Sequence, residues 1–161
     1  MHQEHHFAVT TNWTGNRGVG TASYRSYGRD TVVSANGKPP IEGSSARVFH
    51  GDAARWNPEE LLIAALSQCH MLSFLHVATN HGVIVTSYDD NATGILALEP
   101  DGGGHFTSVT LRPTVTVANG DLASVATLHR EARAKCFIAA SMNFPITHEP
   151  VTFLEPVSPV V

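Results

Sequence analysis

The sequence predicts an α+β fold, and three observations carry that expectation. Strand-like runs lie at both ends of the chain and between two helical segments, so the order is strands, helix, strands, helix, strand. Each helical segment has apolar residues at a spacing of three and four behind a good N-capping residue. The remaining stretches either alternate in polarity or are punctuated by glycine and proline. With 161 residues, 42% hydrophobic and 15% charged, the chain suits a single domain over 1–161 with a sizeable core.

Taken in order, His6 to Trp13 is rich in aromatic and β-branched residues and predicts a first strand. Thr14 to Thr21 holds three glycines and predicts a turn or bulge. Ser26 to Ser34 predicts a strand that stops at Ala35-Asn36-Gly37-Lys38-Pro39-Pro40, and Gly43 to Trp56 a long connection with a short strand near Val48 and Phe49. Asn57 then opens the first helix. Pro58 suits its first position, and Glu60 stands where a capping box wants its acid. Leu62, Ala65, Leu66, Cys69, Leu72 and His76 follow at helical spacing, and Asn80-His81-Gly82 reads as the stop.

Val83 to Leu98 contains strand-like stretches, and a glycine turn from Asp101 to Gly104 leads into Phe106 to Val117. There Val109, Leu111, Val115 and Val117 alternate on one face, and Pro113 predicts an edge position. Asp121 starts the second helix, whose stripe is Leu122, Val125, His129, Ala132, Cys136 and Ala139. Those residues are mostly small, so another helix can approach closely. Phe144 to Leu154 predicts a last strand.

Charge and patterning narrow the function. A formal net charge of −4 provides no broad basic field for nucleic acid or an anionic membrane. On this reading no apolar run approaches the roughly 20 residues that span a bilayer. The opening MHQEHHFAV lacks the charged-then-apolar pattern of a signal peptide, so a cytoplasmic location is expected. The low charged fraction suggests a surface partly covered by a second subunit.

The chain has two cysteines, Cys69 and Cys136, both on inward helical stripes. In a reducing compartment such a pair is inert or redox-active. Reactivity requires a thiolate, and so a nearby positive charge. Cys69 lies about 18 Å along the axis from Asn57, beyond the reach of the helix dipole. A side chain must supply the charge; Arg17, Arg25, Arg29, Arg47 and Arg55 are the candidates, and the pattern does not choose among them. The ten histidines suggest no metal centre. His2, His5 and His6 crowd a terminus, and His70 and His76 point about 120° apart on one helix. HExxH, CxxC, GxGxxG, phosphate-loop and GxSxG patterns are absent, so neither metal nor bound cofactor is expected.

Asn57-Pro58-Glu59-Glu60-Leu61-Leu62 followed by Ser67-Gln68-Cys69-His70-Met71 resembles the central helix of the OsmC/Ohr family. Lys135-Cys136-Phe137-Ile138-Ala139-Ala140-Ser141 before Asn143-Phe144-Pro145 resembles the family's second cysteine segment, and Trp13-Thr14-Gly15 and Tyr27-Gly28-Arg29-Asp30 also fit. The resemblance implies antiparallel sheets wrapped around two central helices in an intertwined homodimer. It implies a peroxidase of the oxidative stress response that reduces organic hydroperoxides, in which Cys69 attacks the peroxide and Cys136 resolves it through a disulfide. It implies Arg29 and Glu59 as the assisting residues, and a dithiol such as a dihydrolipoyl group as the external reductant. Phe137 stands where the family often has proline. A non-catalytic module holding an apolar ligand is the alternative.

Two expectations follow. A Cys69–Cys136 bridge requires Cα atoms within about 7 Å, so the helices should cross there, with Ala65, Ala132 and Ala139 permitting close approach. Glu59 and Cys69 lie about 15 Å apart along one helix and about 80° around it, beyond the span of one arginine. A partner's Glu59, brought across a two-fold axis, would complete the site with Arg29.

Overall fold

A three-stranded antiparallel sheet organises the first part of the chain: β1 (Thr10–Trp13), β2 (Thr31–Ser34) and β3 (Ile41–Gly43), in that order. The computed structural model describes residues 3–156, so His2 lies outside the described residues. The chain divides into two units, 1–62 and 63–161, and each is described by itself.

In the first unit β1 pairs with β2 from Thr10↔Ser34 to Trp13↔Thr31. The predicted first strand is therefore shorter than its sequence pattern, because β2 ends at Ser34 and offers His6 to Val9 no partner. The predicted second strand loses Ser26 to Asp30 for a similar reason. Those residues fold onto the glycine turn, where the Gly28 amide donates to the Gly15 carbonyl at 2.7 Å. Only glycine fits at 15, since a Cβ there would stand 2.0 Å from the Gly28 oxygen. Arg47–Phe49 is a 3-10 turn rather than a strand. The Phe49 and Gly51 amides both close back onto the Ala46 carbonyl. β3, unannounced by any alternation, is only three residues long and follows two prolines.

The first helix, α1 (Pro58–Asn80), is bounded as its sequence signals predict. The Glu60 amide donates to Asn57 Oδ1 at 2.8 Å and the Asn57 amide to Glu60 Oε2 at 3.3 Å, a reciprocal capping box. At the far end Gly82 takes φ 69° while the Val83 amide bonds the Ala78 carbonyl and the Gly82 amide that of Thr79. That pattern is a Schellman motif. One expectation needs correction here: α1 is 23 residues long with mean hydropathy 1.6 over an 18-residue window, long and apolar enough to cross a membrane. The sequence reading missed this because isolated polar residues such as Ser67, Gln68 and His70 interrupt the run. Leu66, Phe74, Val77 and Ala78 nonetheless serve the protein's own cores.

The second unit holds two three-stranded sheets, one ordered β4 (Val85–Asp90), β7 (Pro113–Val117), β9 (Val151–Leu154), the other β5 (Thr93–Leu98), β6 (Gly104–Leu111), β8 (Ile146–His148). Both are mixed rather than antiparallel, because β8 and β9 run parallel to β6 and β7. The α+β class stands. The predicted alternation of Val109, Leu111, Val115 and Val117 is observed and all four are buried, but they belong to two strands. The break falls at Arg112, whose amide donates to Asp90 Oδ1 at 2.6 Å. Pro113 is not at an edge: β7 is the central strand, and the proline is tolerated because it is the first residue. The predicted last strand likewise divides at Glu149-Pro150 into β8 and β9, one for each sheet.

Asp121 caps α2 (Leu122–Lys135) by accepting from the Ser124 amide. α2 ends one residue before Cys136, which is extended at φ −80° and ψ 107° and begins the short helix α3 (Phe137–Ala140). The cysteine thus departs from the helical stripe expected of it. Its own sulfur accepts the Ala139 amide at 3.4 Å, capping the next turn in place of continuing the last. Two clusters fill this unit, one built on Phe74, Val77, Val115, Val117 and Val125, the other on Leu66, Val109, Leu111, Cys136 and Ile146.

Candidate active site

Cys69 sits mid-way along α1, half-buried, on the edge of the cluster that contains Cys136. Cys136 is 1% exposed. Both are free thiols. Burial, then a hydrogen bond with the Cys69 side chain, pushes the Cys136 thiol up to about 11. The Cys136 sulfur is therefore protonated near neutral pH, and Cys69 is the sulfur presented to solvent. The two were expected at a crossing of helices; they meet instead where α1 faces the α2–α3 break.

A cavity of about 780 Å³ opens over Cys69. Its wall is largely apolar, with Ala65, Leu72, Phe137 and Ile138 contributing, and Lys135 is its cation. Lys135 Nζ bonds Glu131 Oε1 at 2.6 Å. Sequence reasoning listed arginines only and missed this lysine, although it adjoins Cys136 in the chain. Phe137 and Leu72 are 82% and 57% exposed at the cavity.

The other two expected residues, Arg29 and Glu59, lie in the first unit. Arg29 donates through Nη1 to the Tyr27 carbonyl and through Nη2 to that of Tyr24, both at 2.7 Å. Its guanidinium carbon sits 4.3 Å and 4.2 Å from the centroids of the Tyr24 and Tyr27 rings. This clamp fixes the direction of the charge without neutralising it. Arg29 lines an apolar cavity of about 570 Å³ with Trp13, Tyr27 and Trp56. Among the other candidates, Arg55 is tied to Asp30, Glu42 and Asp52. Glu59 stands in the first turn of α1, and its Oε2 is buried with no hydrogen-bond partner among the described residues. Such an atom calls for a donor. Among the described residues no group of three or more His, Cys, Asp or Glu is arranged to hold a metal ion.

Comparison with known proteins identifies the family of the chain. The profile of the OsmC family, described as OsmC-like protein, matches residues 50–150. A solved OsmC-like protein of unknown function from Vibrio cholerae is 30% identical, covers 92% of this chain and 100% of its own, and superposes with a TM-score of 0.82. An organic hydroperoxide resistance protein OsmC from Legionella pneumophila is 14% identical over 93% of this chain and 99% of its own, with TM-score 0.65. The organic hydroperoxide resistance protein OhrB of Bacillus subtilis is 18% identical over 90% and 98%, with TM-score 0.61. At those identities the last two show the shared fold. No curated protein matches the chain.

Proposed function

Because this chain belongs to the OsmC family, we propose that it is a thiol peroxidase in which Cys69 reduces organic hydroperoxides and Cys136 resolves the oxidised sulfur. One observation carries the reading: a half-buried thiol opens onto an apolar cavity while a second, protonated thiol lies buried against it. Relatives of the same fold from Legionella pneumophila and Bacillus subtilis are organic hydroperoxide resistance proteins.

The Cys69 thiolate attacks the terminal oxygen of the hydroperoxide. The O–O bond breaks, the departing alkoxide takes a proton and leaves as alcohol, and Cys69 becomes a sulfenic acid. The Cys136 sulfur then attacks Cys69, and its proton leaves with the expelled hydroxide as water, giving a disulfide. An external dithiol such as dihydrolipoamide reopens the bridge by exchange and is itself oxidised to a disulfide, so no bound cofactor takes part. The apolar wall favours alkyl and lipid hydroperoxides over hydrogen peroxide, whose hydration it would strip without return. Arg29, its direction fixed by two carbonyls and two rings, is the assisting cation, and a Glu59 brought across the two-fold axis from a partner, its carboxylate unpartnered among the described residues of one chain, aligns it. The site is shared across a homodimer; the exposed Phe137 and Leu72 supply apolar surface for that contact. The setting is cytoplasmic, where dithiol reductants are plentiful.

Turnover of tert-butyl hydroperoxide with dihydrolipoamide tests the proposal. Cys69→Ser should lose essentially all activity; a fully active Cys69→Ser chain would overturn it. Co-refolded Cys69→Ser and Glu59→Ala chains should recover part of the activity as heterodimers, and no rescue in proven heterodimers would remove the shared site.

The apolar cavity also favours a second reading, a module that binds an apolar ligand without chemistry. Alkylation separates the two. A Cys69 that reacts no faster than a peptide thiol, with no intrachain disulfide after peroxide treatment, makes the binding module the better reading.

A further inference from the structure

A second cavity, of about 280 Å³, opens beside the C-terminal half of α2 and shares no lining residue with the cavity over Cys69. Arg130, Arg133, His129 and His148 line it, with Ala126 and Pro150. The carboxylates nearest in sequence are engaged elsewhere, Glu131 with Lys135 and His81, Glu149 with Arg112. Among the described residues no carboxylate pairs with Arg130 or Arg133.

Behind the arginines lies a buried imidazole pair. His70 and His129 are 1% and 2% exposed. His70 Nε2 and His129 Nδ1 are 3.0 Å apart, and the His148 ring centroid is 4.2 Å from that of His70. The two outer nitrogens, His70 Nδ1 and His129 Nε2, are buried with no partner among the described residues. Two neutral imidazoles carry one N–H each, and one of the two protons is used in the shared bond. Whichever tautomers are present, one outer nitrogen is then a donor without an acceptor and the other an acceptor without a donor. Leaving such a donor unmet costs about 1–3 kcal/mol.

We propose that this cavity binds a compact oxyanion, a sulfate, phosphate or small carboxylate, held by Arg130 and Arg133 and accepting the Nε2–H of His129. That bond fixes the pair as His70 Nε2–H donating to His129 Nδ1. Two guanidiniums present planar forks suited to an oxyanion and repel a cation. Without the anion the surroundings oppose protonation. Burial and the neighbouring imidazoles hold His70 at about 3 and His129 at about 4, with Arg133 adding to the effect on His70. Burial and Arg133 lower His148 as well, against the opposing charge of Asp90 at the end of β4. Tyr88, also on β4, faces His129 with ring centroids 6.5 Å apart, and burial keeps its phenol protonated. An anion offsets the charge of Arg133, so binding draws a proton onto His148, whose ring is not part of the shared bond, and tightens as pH falls.

Titration of the full chain with sodium sulfate, whose charge is fixed over this range, tests the site through imidazole NMR resonances at about pH 6 and pH 7.5. Saturable shifts of His129 and His148 are expected, with His76 in the other cavity unmoved. Affinity should be tighter at the lower pH, and Arg133→Ala should weaken it about tenfold or more, with Arg133→Lys between the two. Calorimetry in two buffers of different ionisation enthalpy should show net proton uptake. Phosphate and acetate titrations then distinguish the preferred oxyanion. Shifts that do not saturate by about 50 mM, well above ordinary millimolar binding, would overturn the proposal. So would unchanged affinity in Arg130→Gln/Arg133→Gln. Both arginines are exposed, so these variants should fold.

Discussion

Cys69 and Cys136 differ in access and protonation, and that difference sets their order of reaction. Cys136 is buried and pushed up to about 11, so at neutral pH it is a poor nucleophile toward any external reagent. Iodoacetamide at neutral pH should label Cys69 about tenfold or more faster than Cys136, read by peptide mass spectrometry of the reduced protein. Equal labelling would remove the asymmetry on which the roles depend. In Cys136→Ser, peroxide should leave a Cys69 sulfenic acid that a dimedone-type probe traps, while steady turnover with dithiol falls steeply. At this scale the sequence showed the two thiols through their place in a helical pattern. It did not show Lys135, whose position at the cavity depends on where α2 stops, nor the meeting of His70 with His129 across 59 positions of chain. Neither is a local property.

At the scale of the element, legibility follows the range of the interactions that set the boundary. α1 was legible at both ends because its capping box and its Gly82 stop are made within a few residues of each other. Asn57→Ala should cost about 1 kcal/mol and lower the melting temperature by a few degrees. Gly82→Ala should cost a comparable amount, about 1–2 kcal/mol, because φ 69° is left-handed backbone. Chemical unfolding checks both, and neutral substitutions at either position would contradict the account. The strands were legible in polarity but not in extent. Val109 to Val117 keeps its alternation through Arg112, so nothing in the pattern marks the passage from one sheet to another. That passage is made by Asp90, which reaches the Arg112 amide from another strand. β3, at three residues, is defined by pairing with β2 alone.

For the whole molecule, acidification acts through the buried imidazoles. His70 and His129 sit at about 3 and about 4, below the ordinary value of 6.5, so the folded chain binds fewer protons than the unfolded one between those limits. Their contribution to stability is fully present above about pH 6.5 and is lost as pH falls toward 4 and then 3, at up to about 1.4 kcal/mol per pH unit for each group. Urea midpoints measured between pH 7.5 and 4.5 should fall accordingly, and His129→Gln should flatten that dependence. A midpoint insensitive to pH over this interval would show that the imidazoles are not held neutral. The α+β class was legible because the order of strand and helix patterns survives errors in every boundary. The mixed character of the sheets was not, since a parallel partner leaves no mark on the strand that receives it.

β8 and β9 also govern when the fold can form. They come later in the chain than every other strand of the second unit, yet each pairs with the central strand of one sheet. During synthesis β6 and β7 therefore emerge with one hydrogen-bonding edge open, and stay so until residues 146–154 leave the ribosome. Released chains truncated before Ile146 should be held by chaperones or aggregate, and released chains that extend past Leu154 should resist protease. Maturation of this protein is then a late event governed by nine residues, 146–154, that carry none of the proposed thiol chemistry.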